Sequence, residues 1–324
     1  MTDTSLINKY QPLYFKDFEH NNVTEILKTF ISIDTLNILL IGETTCSKTS
    51  ILNAIIREYY IGISPTDYKD NVLYINSLKE QGINYYRTDV KTFCQTHSNI
   101  KNKKKMVVLD DIDIINEQSQ QVFRNFIDKY SHNVNFISSC SNNQKVIESL
   151  QSRLNIIKIE PLQKTHLINI INKIKLAENI QIDEDALNFI VNISNNTSKI
   201  IVNYIEKFKL INRKITLNLA IQLCSNISFL IFEEYTHFVL NQNLNQAIQI
   251  INTIYEKGYS VMDILDNYFI FIKNNTILTE EQKYKIITYL CKYITIFHSI
   301  HEDEIELSLF TNNIIKELKK EQKE

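Results

Sequence analysis

Five short apolar or β-branched runs punctuate the first half of the chain: NILLI at 37–41, VLYIN at 72–76, KMVVLD at 105–110, VNFISSC at 134–140 and NIIKIE at 155–160. Between them the pattern changes period. KTSILNAIIREYY, YYRTDVKTFCQ and EQSQQVFRNFIDKY repeat apolar residues at helical intervals, the last with Val122, Phe123, Phe126 and Ile127 on one face. Short buried strands that alternate with helices predict a parallel sheet covered on both sides.

After Pro161 the strand signal fades. THLINIINKIKLAENI, DEDALNFIVNIS and SKIIVNYIEKFKLI read as three helices. From about Ser225 a series of longer amphipathic stretches follows, with Gly258 placed as a helix C-cap. These changes divide the chain into segments 1–160, 161–224 and 225–324.

Composition narrows the picture in four ways. Only four glycines and three prolines occur in 324 residues, which favours helices joined by polar loops over a turn-rich β protein. Apolar residues make up 44%, enough for a core, yet no apolar run approaches the roughly 20 residues of a membrane span. The N-terminal MTDTSLINKYQPLYF has polar and charged residues where a secretory signal needs an apolar stretch, so a protein that is not secreted is expected. Five widely spaced cysteines fit free thiols, and His298 with His301 lacks the further ligands of a metal site. A net charge of −2 means that any contact with nucleic acid must come from local basic patches.

The candidate chemistry lies in Gly42-Glu43-Thr44-Thr45-Cys46-Ser47-Lys48-Thr49-Ser50, between the first strand and the first long helix that follows it. In a phosphate-binding loop, backbone N–H groups point at the phosphates and a helix N-terminus backs them. A lysine then reaches the terminal phosphates and a hydroxyl ligates magnesium. Gly42, Lys48 and Thr49 have that spacing, but Ser47 stands where a glycine is usual. MVVLDDID adds a strand ending in Asp110, where a carboxylate holds magnesium, and Asp111, where a general base would sit. The bland alternatives are an ordinary loop and a solvated acidic turn; the two elements together favour a nucleotide-binding fold.

These residues resemble the small subunits of the sliding-clamp loader, the replication factor C group of AAA+ ATPases. INKYQPLYFKDFEHNNVTEILKTFI is similar to the family's opening segment, and INSLKEQGIN shares Asn76, Glu80, Gly82 and Ile83 with its next signature. VVLDDIDIINEQSQQVFRNFIDKYSHNVNFISSC resembles the magnesium-binding strand, its helix and the sensor 1 strand. KVIESLQSRLNIIKIEPL is similar to the stretch that carries a Ser-Arg-Cys motif. The likeness runs in order from about residue 6 to 210, and the last third agrees only in helical character.

The resemblance implies an α/β AAA+ P-loop domain, with a parallel sheet and flanking helices, over 1–160. A small helical lid domain at 161–224 and an all-α C-terminal collar domain at 225–324 would follow. It implies ATP and Mg²⁺ as cofactors, with Gly42 through Ser50 on the phosphates and Tyr10 and Gln11 near the adenine. Thr49 and Asp110 would hold the metal, Asp111 would serve catalysis, and Ser141, Ser198 and Lys199 would stand at the sensor positions. Ser141 and Ser198 replace an asparagine and an arginine of the family, and Asn142 and Lys199 remain open as one-residue substitutes. Arg153 would be an arginine finger acting in trans on a neighbour's nucleotide, with Leu154 in place of the family cysteine; the alternative is a surface arginine capping a helix C-terminus.

Implied partners are the other subunits of a hetero-pentamer, a sliding clamp and primer–template DNA, bound without sequence specificity at the site of replication. No membrane is implied. Arg87 and Lys91 are the DNA-binding candidates, together with the run Lys101, Lys103, Lys104 and Lys105, whose alternative is a solvated loop. Ser47, the shortened Asp111 and the changed sensors predict weak hydrolysis at the chain's own site. The expected role is ATP-dependent clamp loading; the alternative is a non-hydrolysing scaffold subunit of the same complex that donates Arg153 to a neighbour.

Overall fold

The computed structural model describes residues 5–18, 21–76, 83–194, 196–211, 213–224, 227, 229–275, 277–297 and 301–321. Glu80, Gly82 and His298, marked above, lie outside these residues. The chain divides into two compact units, Met1–Ala177 with Asn196–Glu206, and Glu178–Asn195 with Lys207–Glu324.

The first unit is built on five parallel strands: β1 (Ile38–Ile41), β2 (Val72–Asn76), β3 (Lys105–Asp110), β4 (Val134–Cys140) and β5 (Asn155–Lys158). All five correspond to the apolar runs, and their order across the sheet is β2-β3-β4-β1-β5. Every residue of β3 and β4 is buried, as a central parallel strand requires. Alternation then sorts the side chains. Ile38, Leu40, Met106, Val108, Ile137 and Ile157 enter one core, and Leu39, Ile75, Val107, Leu109, Phe136 and Cys140 the other. β5 is an edge strand, and Asn155, Ile156 and Lys158 are exposed.

Around the sheet lie α1 (Leu6–Lys9), α2 (Asn21–Ile33), α3 (Lys48–Tyr59), α4 (Pro65–Tyr68), α5 (Ile83–Tyr85), α6 (Lys91–Gln95), α7 (Glu117–Tyr130), α8 (Glu148–Gln151) and α9 (Lys164–Glu178). A π-helical turn, Tyr86–Val90, joins α5 to α6. α7 buries Phe123, Phe126 and Ile127 as its spacing predicts, and Asn116 caps it by accepting the Ser119 N–H at 2.8 Å.

The chain continues through α10 (Glu184–Ile193), α11 (Ser198–Ile211), α12 (Leu217–Cys224), α13 (Phe229–Leu240), α14 (Leu244–Glu256), α15 (Val261–Asn274), α16 (Glu280–Phe297) and α17 (Glu304–Glu321). α11 contributes its residues up to Glu206 to the first unit. In the second unit, α13 to α17 enclose a core that includes Phe232, Tyr235, Tyr268, Leu290 and Phe310. Its buried hydroxyls satisfy one another: Tyr235 pairs with Thr311 at 2.9 Å and Tyr268 with Thr236 at 3.2 Å. Gly258 ends α14 with a φ of +93°, the left-handed conformation expected at that position.

Candidate nucleotide site

Strand order gathers the site. β1 lies between β4 and β5, and β4 between β1 and β3, so three loops leave the carboxyl edge of the sheet side by side. In open parallel sheets that edge is where ligands bind. The loop Gly42–Ser47 follows β1, Asp110 closes β3, and Ser141 follows β4.

Gly42 is required by close approach. A Cβ there would meet the Ile159 carbonyl oxygen at 2.8 Å. Ser47 sits at φ 59° and ψ 24°, in the left-handed region, so the position calls for the glycine it lacks. A non-glycine residue held there stores roughly 1–2 kcal/mol. Ser47→Gly is therefore expected to raise the chain's thermal midpoint by a few degrees. The gain should persist without nucleotide, and a scanning-calorimetry midpoint that falls would contradict this account of the loop.

Lys48 opens α3 and is only 5% exposed. Its ammonium donates to the carbonyls of Gly42 at 2.9 Å and Glu43 at 2.8 Å, and to Ser141 Oγ at 3.1 Å. Three donors aimed into the loop at fixed points are suited to phosphate oxygens, which would replace these acceptors. Ser141, the serine expected at the sensor 1 position, thus touches the loop lysine directly.

Thr49 donates from Oγ1 to Asp110 Oδ2 at 2.9 Å. Tyr74 donates to the same oxygen at 2.8 Å, and Ser139 to Oδ1 at 2.5 Å. A hydroxyl paired with a buried carboxylate beside a lysine is a hard-oxygen donor set of the kind magnesium prefers. The residues present therefore fit a magnesium nucleotide. Tyr74 and Ser139 carried no signal in the sequence, because a tyrosine or serine in a strand is ordinary and only their opposition to Asp110 gives them this role. Burial and the Asp110 carboxylate push the Tyr74 phenol well above its ordinary range.

Asp111 adopts φ 55° and ψ 57°, and its N–H donates to Ser139 Oγ at 3.0 Å. Burial, then the charge of Asp110, raises its carboxyl above the usual range, with Lys48 opposing and Asp113 adding to the rise. A raised carboxyl at this edge is a more effective proton acceptor than an ordinary aspartate. Asp113 accepts the N–H groups of Ser141 at 3.2 Å and Asn142 at 2.9 Å, fixing the loop after β4. Its position in DDID was legible, but its partners, 28 and 29 residues away, were not. Gln120 on α7 was also missed: its amide donates to the carbonyls of Ile112, Ile115 and Lys145 at 3.3, 3.1 and 2.9 Å, tying the same loops together.

Comparison with known proteins accords with this geometry. Residues 38–162 match the family model "ATPase family associated with various cellular activities (AAA)", and 230–294 match "Replication factor C C-terminal domain". A protein of Acanthamoeba polyphaga mimivirus, provisionally named a replication factor C small subunit, is 27% identical over 82% of this chain and 83% of its own. Replication factor C subunit 3 of Oryza sativa subsp. japonica is 26% identical over 82% of this chain and 74% of its own. The two matched segments fall in the same order and spacing as the sheet and the C-terminal helices. The chain belongs to the replication factor C small subunits, within the AAA+ ATPases. The fold extends to the RuvB Holliday junction branch migration motor of Thermotoga maritima, with a TM-score of 0.53 at 13% identity over 75% of this chain and 85% of that one.

Lys48 has no hydrogen bond to the remaining marked residues among the described residues. Tyr10 and Gln11 follow α1, half-buried and exposed respectively. α1 is fastened to α11 by Glu206, which accepts the Ser5 hydroxyl at 3.0 Å and the Leu6 N–H at 3.1 Å. Ser198 and Lys199 open α11, half-buried and exposed, and neither has a hydrogen bond to the loop among the described residues. Arg87 and Lys91 are both exposed, four residues apart along the helical turn into α6. Arg153, just beyond α8, bonds to Asp128 of α7.

The lysine run makes contacts with other elements. Lys103 lies 4.4 Å from the Tyr59 ring centre, and Lys104 donates to the Asp34 carbonyl at 2.8 Å. Lys105 is buried 4.3 Å from the Phe93 ring centre and donates to Thr96 at 2.5 Å. These contacts fasten the start of β3 to other elements; Lys105 is buried, Lys103 and Lys104 are half-buried, and Lys101 is exposed. Among the described residues all five cysteines are free thiols, and burial pushes Cys94, Cys140 and Cys224 up to about 12. No helix among them is long and apolar enough to cross a membrane.

Proposed function

We propose that this chain is a clamp-loader subunit that binds Mg-ATP and works within a hetero-oligomeric complex. That complex opens a DNA sliding clamp and places it at primer–template junctions during replication. The observation that carries the reading is the convergence of Lys48, Thr49, Asp110 and Ser141 at one sheet edge, in a chain of the replication factor C small-subunit family. Lys48 would neutralise the terminal phosphates, Thr49 and Asp110 would hold the metal, and Asp111 would accept the proton of the attacking water. Magnesium would spread the negative charge of the phosphates. Arg153 would act on nucleotide held by an adjacent subunit, where a permanently charged guanidinium stabilises developing phosphoryl charge. Arg87 and Lys91 would meet the DNA backbone, which positions a duplex without reading it. Segments 161–224 and 225–324 would serve as lid and collar.

A second reading rests on Ser47, held at φ 59°, and on the serines at both sensor positions. It keeps nucleotide binding and the Arg153 role but assigns no appreciable turnover to this chain's own site. Affinity purification of the tagged chain from its source should recover other clamp-loader subunits, and the recovered complex should hydrolyse ATP faster with clamp and primed DNA. Recovery of the chain as a lone species, with no response to clamp or DNA, would refute both readings.

A further inference from the structure

Arg153 does not hang free. Its Nε donates to Asp128 Oδ1 at 2.6 Å, and its Nη1 donates to the Ser149 carbonyl at 2.6 Å and to Ser152 Oγ at 3.4 Å. These bonds use every N–H on Nε and Nη1 and define the plane of the guanidinium. Nη2, with its two N–H groups, has no hydrogen-bond partner among the described residues, and the side chain is 30% exposed.

Asp128 is itself held. Arg124, one turn earlier on α7, places Nη2 3.6 Å from Asp128 Oδ2. One carboxylate oxygen therefore faces each arginine, and α7 contributes both the aspartate and its counter-charge. The Arg153 hydrogen bond, with the charges of both arginines, keeps the Asp128 carboxyl below the usual range, so it accepts as a carboxylate at neutral pH. A long arginine side chain on a surface otherwise samples many rotamers, and fixing it costs entropy. Here Asp128 and Ser149 impose that order before any partner arrives.

We propose that Asp128 is a positioning residue for Arg153, holding the guanidinium so that its Nη2 edge is presented to the phosphoryl oxygens of a nucleotide on an adjacent subunit. The proposal rests on the reading of Arg153 as a finger in trans. Asp128 touches no nucleotide; it acts through the geometry of Arg153. Misplacement of a catalytic group by about 1 Å costs up to roughly a hundredfold in rate.

The test uses the assembled complex and compares Asp128→Ala, Asp128→Asn and Arg153→Ala in clamp- and DNA-stimulated hydrolysis. Asp128→Ala is expected to lower kcat by about ten- to a hundredfold with KM for ATP nearly unchanged. Asp128→Asn, which keeps an oxygen to accept the Nε–H, should retain activity within about threefold. Subunit assembly, measured by mass photometry, and nucleotide affinity at the chain's own site should stay unchanged in both. If Arg153→Ala leaves turnover intact, the finger reading fails and this inference with it. If Arg153→Ala lowers turnover but Asp128→Ala does not, or raises it, Asp128 does not position the finger and only this inference falls. Equal loss in Asp128→Ala and Asp128→Asn, or loss accompanied by failed assembly, would likewise overturn it.

Discussion

Lys48→Ala is expected to weaken ATP binding by the isolated chain by at least about a hundredfold, as judged by titration with a fluorescent ATP analogue. The ammonium is buried, and its three hydrogen bonds end on the loop carbonyls and on Ser141. On binding, phosphate oxygens would take over those bonds, each charged on both sides and therefore stronger than the bond it replaces. Alanine removes all three donors at once and leaves the phosphates facing carbonyl oxygens. Because a ligand that binds only the folded state stabilises it, saturating ATP should raise the thermal midpoint of the wild-type chain and not that of the variant. An affinity within about threefold of wild type would show that the loop is not a phosphate site, whatever its spacing.

Arg153→Ala is expected to act elsewhere. In the assembled complex, turnover should fall by roughly a thousandfold at the site that Arg153 would complete, while this chain's own affinity for ATP stays unchanged. The separation matters because, among the described residues, Arg153 bonds only to Asp128 of α7, Ser149 of α8 and the adjacent Ser152, none of which belongs to the loop that holds Lys48. Unchanged turnover, or a loss of affinity at the chain's own site, would remove the finger assignment. Paired with Lys48→Ala, the result also discriminates the two functional readings. Turnover that survives Lys48→Ala but not Arg153→Ala identifies a subunit that lends its arginine and does not itself hydrolyse.

The strands were legible because burial on both faces of a parallel sheet writes itself as a continuous apolar run. All five appear where those runs stand, with ends shifted by at most two residues. The left-handed backbone at Ser47 was legible as a conditional cost, since a missing glycine matters only if φ is positive, and it is. The lysine run was not legible. Four cations within five positions look alike in sequence, yet three of them reach Tyr59, Asp34, Phe93 and Thr96, partners supplied by other elements. Nor could the carboxylate beside Arg153 be read, because Asp128 is 25 residues away on a different helix.

Residue type, spacing and hydrophobic period were sufficient to set the elements and to mark the candidate phosphate loop and the acidic end of β3, since each depends on neighbours along the chain. The contacts that would make those parts work together depend on strand order. Lys48 meets Ser141 across 93 residues and Thr49 meets Asp110 across 61, because β1, β4 and β3 stand side by side and end at one edge. Tyr74, Ser139 and Asp113 acquire their roles in the same way, through a sheet that brings short-range hydroxyls and carboxylates within hydrogen-bond reach. Hydrogen bonds act over about 3 Å, and only the folded backbone decides which distant residues come that close.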